Sequence, residues 1–173
     1  MRITPLNQEI VMQEGDLIVS KTDTKGRITY GNRAFNQYSG FTEHELMGIQ
    51  HNIVRHPDMP RAVFKLLWDR IQAGQEVFAF VKNIRKDGAY YWVFANVTPS
   101  YDVNNNLLGY FSVRRKPNDK AIQHIEPLYR QMLQIEQSAG ANDGLAKATQ
   151  FLMDALDSLQ ISYDDYVLKL QTA

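Results

Sequence analysis

The sequence predicts an α+β domain, one antiparallel sheet with short helices over one face. Three observations carry this. Two β-branched, partly alternating runs, "DLIVSKTD" and "GRITYGN", lie close together near the start. A group of short helical segments follows them. Three strand-like runs separated by turn residues come next, the pattern of an antiparallel meander.

Taken in order, residues 1–14 are mixed in character and are expected to form an N-terminal cap. The first two strands join through a turn at Thr24-Lys25-Gly26. Asn32 suits the N-cap of a short helix, "RAFNQYS", which Gly40 ends. Thr42 and Glu45 are spaced as a capping box for a second one, stopped by Gly48. A polar decapeptide, "HNIVRHPDMP", follows at 51–60, and Pro60 suits the start of a longer helix. Val63, Phe64, Leu67, Trp68 and Ile71 give that helix its apolar stripe, and Gly74 closes it. "EVFAFVKNIR" meets "AYYWVFANVTPSY" across Asp87-Gly88, a strong hairpin signal. Asn104-Asn105-Asn106 turns the chain into "LLGYFSVRR".

The tail changes character. Ile122, Ile125, Leu128, Met132 and Ile135 recur at helical spacing, and Pro127 predicts an interruption with a restart at that point. "SAGANDG" reads as a linker, and Asn142 or Asp143 as the cap of a last helix. Leu145, Thr149, Leu152, Leu156, Leu159, Tyr163, Tyr166 and Leu170 alternate steps of four and three, which predicts one heptad helix that either dimerises or docks on a partner coiled coil, or folds back on its own sheet. The expected organisation is a cap at 1–14, the sheet domain at 15–118, a helical connector at 119–138 and an amphipathic heptad helix at 139–173. His124 is expected to face solvent.

Composition narrows the function. Lys plus Arg equals Asp plus Glu, 19 against 19, so no bulk attraction to nucleic acid or anionic membrane is expected. No window approaches the length of a membrane span, and the start lacks a signal-peptide core, so the expected location is the cytoplasm. The chain has no cysteine, which removes disulfides, thiolate metal sites and cysteine nucleophiles. No nucleophile–base–orienter set, P-loop or GxGxxG pattern is present, so no enzyme and no catalytic residues are expected. His51, His56 and Asp58 match no helical ligand spacing, so no metal site is expected either.

"VRHPDMP", "VKN-x-RK-x-G-x-x-YWV", "GYFSVR" and "IEPLY" together resemble the FAD-binding PAS domain of Aer-type aerotaxis receptors, over roughly residues 15 to 130. The resemblance implies a PAS fold with a five-stranded antiparallel sheet in order 2-1-5-4-3. It also implies noncovalent FAD between sheet and helices, with the flavin's redox state relayed to chemotaxis machinery. His51, Asn52, Arg55, His56, Asp58, Trp68, Asn83, Tyr91 and Trp92 are the cofactor-binding residues it points to. Their chemistry agrees: rings for an apolar slot, amides for a pyrimidine edge, cations for phosphate. Strand alternation puts Tyr90 and Trp92 on one face and Tyr91 on the other, so they cannot all line one pocket.

Related LOV photoreceptors need a cysteine beside the flavin, and the comparable region here reads "GIQHNIVR", so adduct photochemistry is not expected. Where those receptors carry a second strand asparagine after the tryptophan, this chain has Val93. Full Aer-type receptors also have membrane-spanning and methyl-accepting regions, which this stretch lacks, so a separate signalling partner, a chemoreceptor or chemotaxis component, is expected. Two other readings stay open at this point: a cofactor-free PAS dimerisation or scaffold module, and a haem-binding gas sensor with His51 or His56 as axial ligand.

Overall fold

Short β-branched runs and the turns between them set the frame of the computed structural model, which describes residues 3–173. β1 (Ile18–Thr22) and β2 (Ile28–Gly31) pair antiparallel across a turn in which Gly26 takes a positive φ of 78°. β3 (Val77–Ile84), β4 (Tyr90–Tyr101) and β5 (Leu107–Arg115) form the meander. β1 then adds to β5, and the sheet order is β2-β1-β5-β4-β3, antiparallel throughout, as expected.

Register assigns the faces. Ser20 lies opposite Ser112, Ala95 opposite Arg114, and Asn83 opposite Tyr91. Because side chains alternate, these residues share one inner face, while Phe80, Lys82, Trp92 and Phe94 share the outer one.

The helices between β2 and β3 cover the inner face. α1 (Arg33–Ser39) is capped by Asn32, whose side chain accepts from the Phe35 N–H. α2 (Glu43–Leu46) carries the reciprocal Thr42–Glu45 capping box. A 3-10 turn at His51–Val54 leads to α3 (Arg61–Gln72), with Pro60 at its N-cap. Phe35, Leu46, Ile18 and Ile28 are buried between this layer and the sheet.

The segment before β1 lies along the β3–β4 hairpin: the Leu6 N–H donates to the Gly88 carbonyl in its turn, and the Ile10 N–H to the Tyr90 carbonyl at the start of β4. Positions 1 and 2 of the expected cap lie outside the described residues.

Beyond β5 the chain departs from expectation. α4 (Asp119–Ser138) is continuous, with Pro127 inside it rather than at a restart. Pro127 and Gln123, whose carbonyl the proline cannot serve, are both exposed, so water can serve the freed acceptor. The expected linker is a tight corner: α5 (Gly140–Ser158) begins two residues after α4, at Gly140 with φ 78°. The expected single heptad helix is two helices, because α5 stops at Ser158 and α6 (Tyr163–Thr172) starts anew. Gln160 turns the chain at φ 52°, and Ser162 caps α6 by accepting from the Asp165 N–H. The apolar seam is used inside the chain. α5 packs on α4 and reaches α3, α6 lies against β3, and Ala148, Leu152, Leu156, Tyr163 and Val167 are buried. His124 is exposed, as expected.

Candidate functional site

A cavity of about 170 Å³ lies between the inner sheet face and α3. The sheet supplies its floor with Val81, Asn83, Ala95 and Val97, while α3 supplies a wall with Phe64, Leu67, Trp68 and Ile71. That wall exists because the apolar stripe of α3 repeats every three or four residues toward the sheet. Phe64, Leu67 and Trp68 are only half-buried, since they face the gap instead of packing on the floor. Trp68 meets Tyr110 edge to face at 5.4 Å between centroids. A Cβ at Gly26 would come within 3.1 Å of the Trp68 ring, so a side chain there would press on the indole over the β1–β2 turn and strain a backbone already at positive φ.

One end of the cavity is polar. Arg114 from β5 is 5 % exposed, and its Nη2 donates to Ser20 Oγ and to His51 Nε2, both at 2.7 Å. With a guanidinium beside it, His51 Nε2 must be an acceptor, and Ser20 Oγ stands 3.1 Å from the same nitrogen. The His51 ring stacks on Phe35 at 5.5 Å. Burial, and then the field of Arg114, pull the His51 pKa down to about 3, so the ring is neutral. Burial lowers Arg114 to about 10, which leaves it a cation at neutral pH.

Two groups here have unmet hydrogen-bonding capacity. Among the described residues, Arg114 Nη1 and Ser112 Oγ line the cavity and are buried without a partner in bonding geometry. Native structures rarely leave such atoms unpaired, so a pair of them beside a cavity marks a place where a ligand would bond. Arg55 stands at another part of the wall. Its Nη2 donates to the Met59 carbonyl at 3.1 Å and its guanidinium lies 4.3 Å over the Phe64 ring.

The structure brings His51, Asn52, Arg55, Trp68 and Asn83 around this one cavity. It does not bring His56, Asp58 or Trp92 there, which corrects the expectation that they share the slot. β3 ends its pairing at the edge of the sheet, and residues 55–59 run along that edge: His56 N–H donates to the Lys82 carbonyl, and Lys82 N–H meets Met59 Sδ at 3.2 Å. This turns His56 toward the outer side, where its ring meets Tyr90 edge on at 5.8 Å and its Nδ1 accepts from the Asp58 N–H. Asp58 pairs with Lys82 Nζ at 2.8 Å. Trp92 packs on Tyr129 of α4 at 6.3 Å. Tyr91 is on the inner face but wholly buried against Tyr38, and burial pushes its pKa up to about 12. The expected split of Tyr90 and Trp92 from Tyr91 is the observed one.

Sequence reasoning missed Arg114, Ser112 and Ser20. The signal was available: Tyr110, Ser112 and Arg114 alternate, so one of them facing inward places all three there.

The sequence pattern of the PAS fold family matches residues 10–116. The aerotaxis receptor of Escherichia coli (strain K12) is 41 % identical over 123 residues, 71 % of this chain and 24 % of that protein. The nitrogen fixation regulatory protein of Klebsiella pneumoniae is 24 % identical over 105 residues, 61 % of this chain and 21 % of its own length. The chain thus spans about a quarter or less of the length of the curated relatives it matches. Among solved structures, a light-oxygen-voltage domain studied with a flavin analogue aligns with a TM-score of 0.56 at 18 % identity, over 63 % of this chain and 82 % of that one. The dark state of the blue-light photoreceptor Aureochrome1 LOV aligns at 0.52 with 23 % identity, over 72 % and 85 %. These two likenesses speak to the fold. Sheet order, helical cover and family match agree, and the chain belongs to the PAS family, with a PAS domain of the aerotaxis-receptor type.

Proposed function

We propose that the cavity binds FAD noncovalently and that the chain relays the redox state of the flavin to a signalling partner, a chemoreceptor or chemotaxis component, in the cytoplasm. One observation carries the reading: an apolar slot ends in buried donors without partners, Arg114 Nη1 and Ser112 Oγ, and Asn83 lines its floor on another strand. A flat, largely apolar ring system with a polar edge matches that distribution. The relationship to an aerotaxis receptor and the flavin analogue named for a fold neighbour support it further.

A bound flavin would supply reversible electron uptake. The remaining functions belong to this chain's own residues. Phe64, Leu67 and Trp68 exclude water along one wall. Asn83 offers a donor and an acceptor to a heterocycle edge. Arg114 keeps a positive charge at the polar end, where His51 is already neutral and adds no competing charge. Arg55, a charged fork at the wall, suits a phosphate oxygen. His56, Asp58, Tyr91 and Trp92 support this site from behind, holding the 51–60 segment and β4 in place.

The PAS unit at 15–118 then does the sensing, and the helices at 119–173 carry the output. Homodimerisation through those flanking helices belongs to the same reading. The haem alternative loses support, because His51 Nε2 is engaged by Arg114 and Ser20 while His56 points away from the cavity.

The test is an absorption spectrum of the purified full chain with mass identification of any released ligand. The expected result is flavin bands and released FAD, and loss of ligand by folded Asn83→Ala and Arg55→Ala variants. Folded, colourless protein that cannot be reconstituted with FAD would overturn the reading in favour of a cofactor-free module. Sedimentation of the loaded chain reports the dimer.

A further inference from the structure

The start of α3 is held from outside the PAS unit. α1, α2 and α6 take their N-caps from their own preceding residue, Asn32, Thr42 and Ser162. α3 has Pro60 in that position, which offers no side-chain acceptor. The acceptor comes instead from α4: Glu136 takes the Arg61 N–H at 3.0 Å and the Ala62 N–H at 2.8 Å. A carboxylate at a helix N-terminus satisfies orphan N–H groups and meets the positive end of the helix dipole.

Glu136 is 8 % exposed, a buried charge whose bonds here are to backbone N–H groups. Its place on α4 is also tightly set. A Cβ on Gly144 would overlap the Glu136 carbonyl oxygen, so α5 lies hard against α4 at this residue. Just before the capped turn, Met59 takes its carbonyl bond from Arg55, the cation that lines the cavity. Glu136 and Arg55 therefore bracket the same end of α3, one from the C-terminal helices and one from the cavity. Burial holds the Arg55 pKa down, and the Glu136 charge acts in the opposite direction, so the two groups feel each other's field.

We propose that Glu136 is the positioning residue that couples the cavity to the C-terminal helices: an anionic ligand group at Arg55 competes with Glu136 for the same positive charge and loosens the hold of α4 on α3. This rests on the flavin reading of the cavity and adds the relay to it. Two sites that compete for one counter-charge must affect each other equally. Binding of a phosphate-bearing ligand should weaken the Glu136 cap, and removal of the Glu136 charge should strengthen binding of that ligand. A ligand without phosphate should do neither.

The experiment measures dissociation constants of FAD and of riboflavin, which has the same ring system and no phosphate, for the full chain. Glu136→Gln keeps the shape and an acceptor oxygen but removes the charge. The expected result is FAD binding tightened about 5-fold or more, with riboflavin changed by less than about twofold. Asp164→Asn, which breaks the Arg70 pair between α6 and α3 far from the cap, should leave the FAD-to-riboflavin ratio unchanged. A purely structural role for Glu136 would move both ligands together, and equal shifts or none would overturn the proposal while leaving the flavin reading intact. Failure of both ligands to bind the unsubstituted chain would overturn both. Should the Gln variant not fold, amide exchange of the unsubstituted chain decides. Arg61 and Ala62 N–H groups should exchange faster in the FAD complex than in the riboflavin complex, and equal rates would overturn the coupling.

Discussion

Arg114 answers to two demands that pull apart. As a buried cation flanked by a neutral histidine and a serine, it costs folding free energy, and one arm of its fork has no partner among the described residues. As a cavity wall it offers the strongest donor available to a ligand. Arg114→Met should separate the two. The thermal midpoint of the ligand-free variant should not fall below that of the unsubstituted chain, because a charge leaves the interior and a side chain of similar length fills the space. Flavin affinity should drop by about tenfold or more, the scale of one bond to a charged group. Fluorescence titration and thermal melts measure the two quantities. A variant that binds normally would remove Arg114 from the site. Residues of this kind were hard to read from the string of letters. Arg114 sits in "SVRR" beside exposed Arg115, and only the strand register tells which of the two turns inward. His56 and Asp58 failed for the opposite reason. They stand in the most site-like decapeptide of the chain, but edge pairing with β3 rotates them to the far side of the sheet.

Elements were legible where local chemistry sets their ends. Asn32 and the Thr42–Glu45 box cap the helices they were expected to cap, and Asp87-Gly88 closes the expected hairpin. The C-terminal helix was misread because its heptad spacing stays unbroken through Leu159, whereas the backbone turns there with neither glycine nor proline. The overlooked signal was Ser162-x-x-Asp165. Both halves of that pair act, Ser162 Oγ donating to the Asp165 carboxylate at 2.6 Å and accepting from its N–H at 3.1 Å. Ser162→Ala should therefore cost about 1 kcal/mol, the usual worth of an N-cap. Because α6 packs on β3, the loss should register in cooperative unfolding by denaturant and not merely as fraying of a terminal helix. An unchanged midpoint would mean that α6 contributes little to the fold.

At the scale of the whole molecule, stability is tied to the protonation of one ring at the cavity. His51 has a folded pKa near 3 against an ordinary 6.5, so below pH 6.5 the unfolded chain takes up a proton that the folded chain refuses. Stability should therefore rise with pH between about 3 and 6.5 and level off above. The share belonging to His51 is about 2 kcal/mol lost from pH 7 to pH 5. His56, lowered chiefly by burial, shifts in the same direction. His51→Gln should flatten the slope in denaturant titrations at pH 5 and pH 7, and an unchanged slope would mean that the ring is protonated in the folded state. The overall plan, one antiparallel sheet under short helices, was legible from three hairpin-like connections, whereas the strand order came from the family resemblance, because hairpins alone leave open which strand of the meander β1 joins. The folding back of the tail was one of two readings the sequence left open, because a seam that suits a neighbour's helix suits the chain's own sheet equally well.

The tail also ends where it began. Asn118 Nδ2 donates to the Ala173 carbonyl at 2.8 Å, and Gln171 Nε2 donates to the Lys116 carbonyl at 3.2 Å. The three helices are thus a detour whose entrance and exit sit side by side. Polypeptide joined after Ala173 would depart from nearly the same spot as polypeptide joined directly after the last strand, so the detour could be lengthened, shortened or removed in a fusion without relocating whatever is attached downstream.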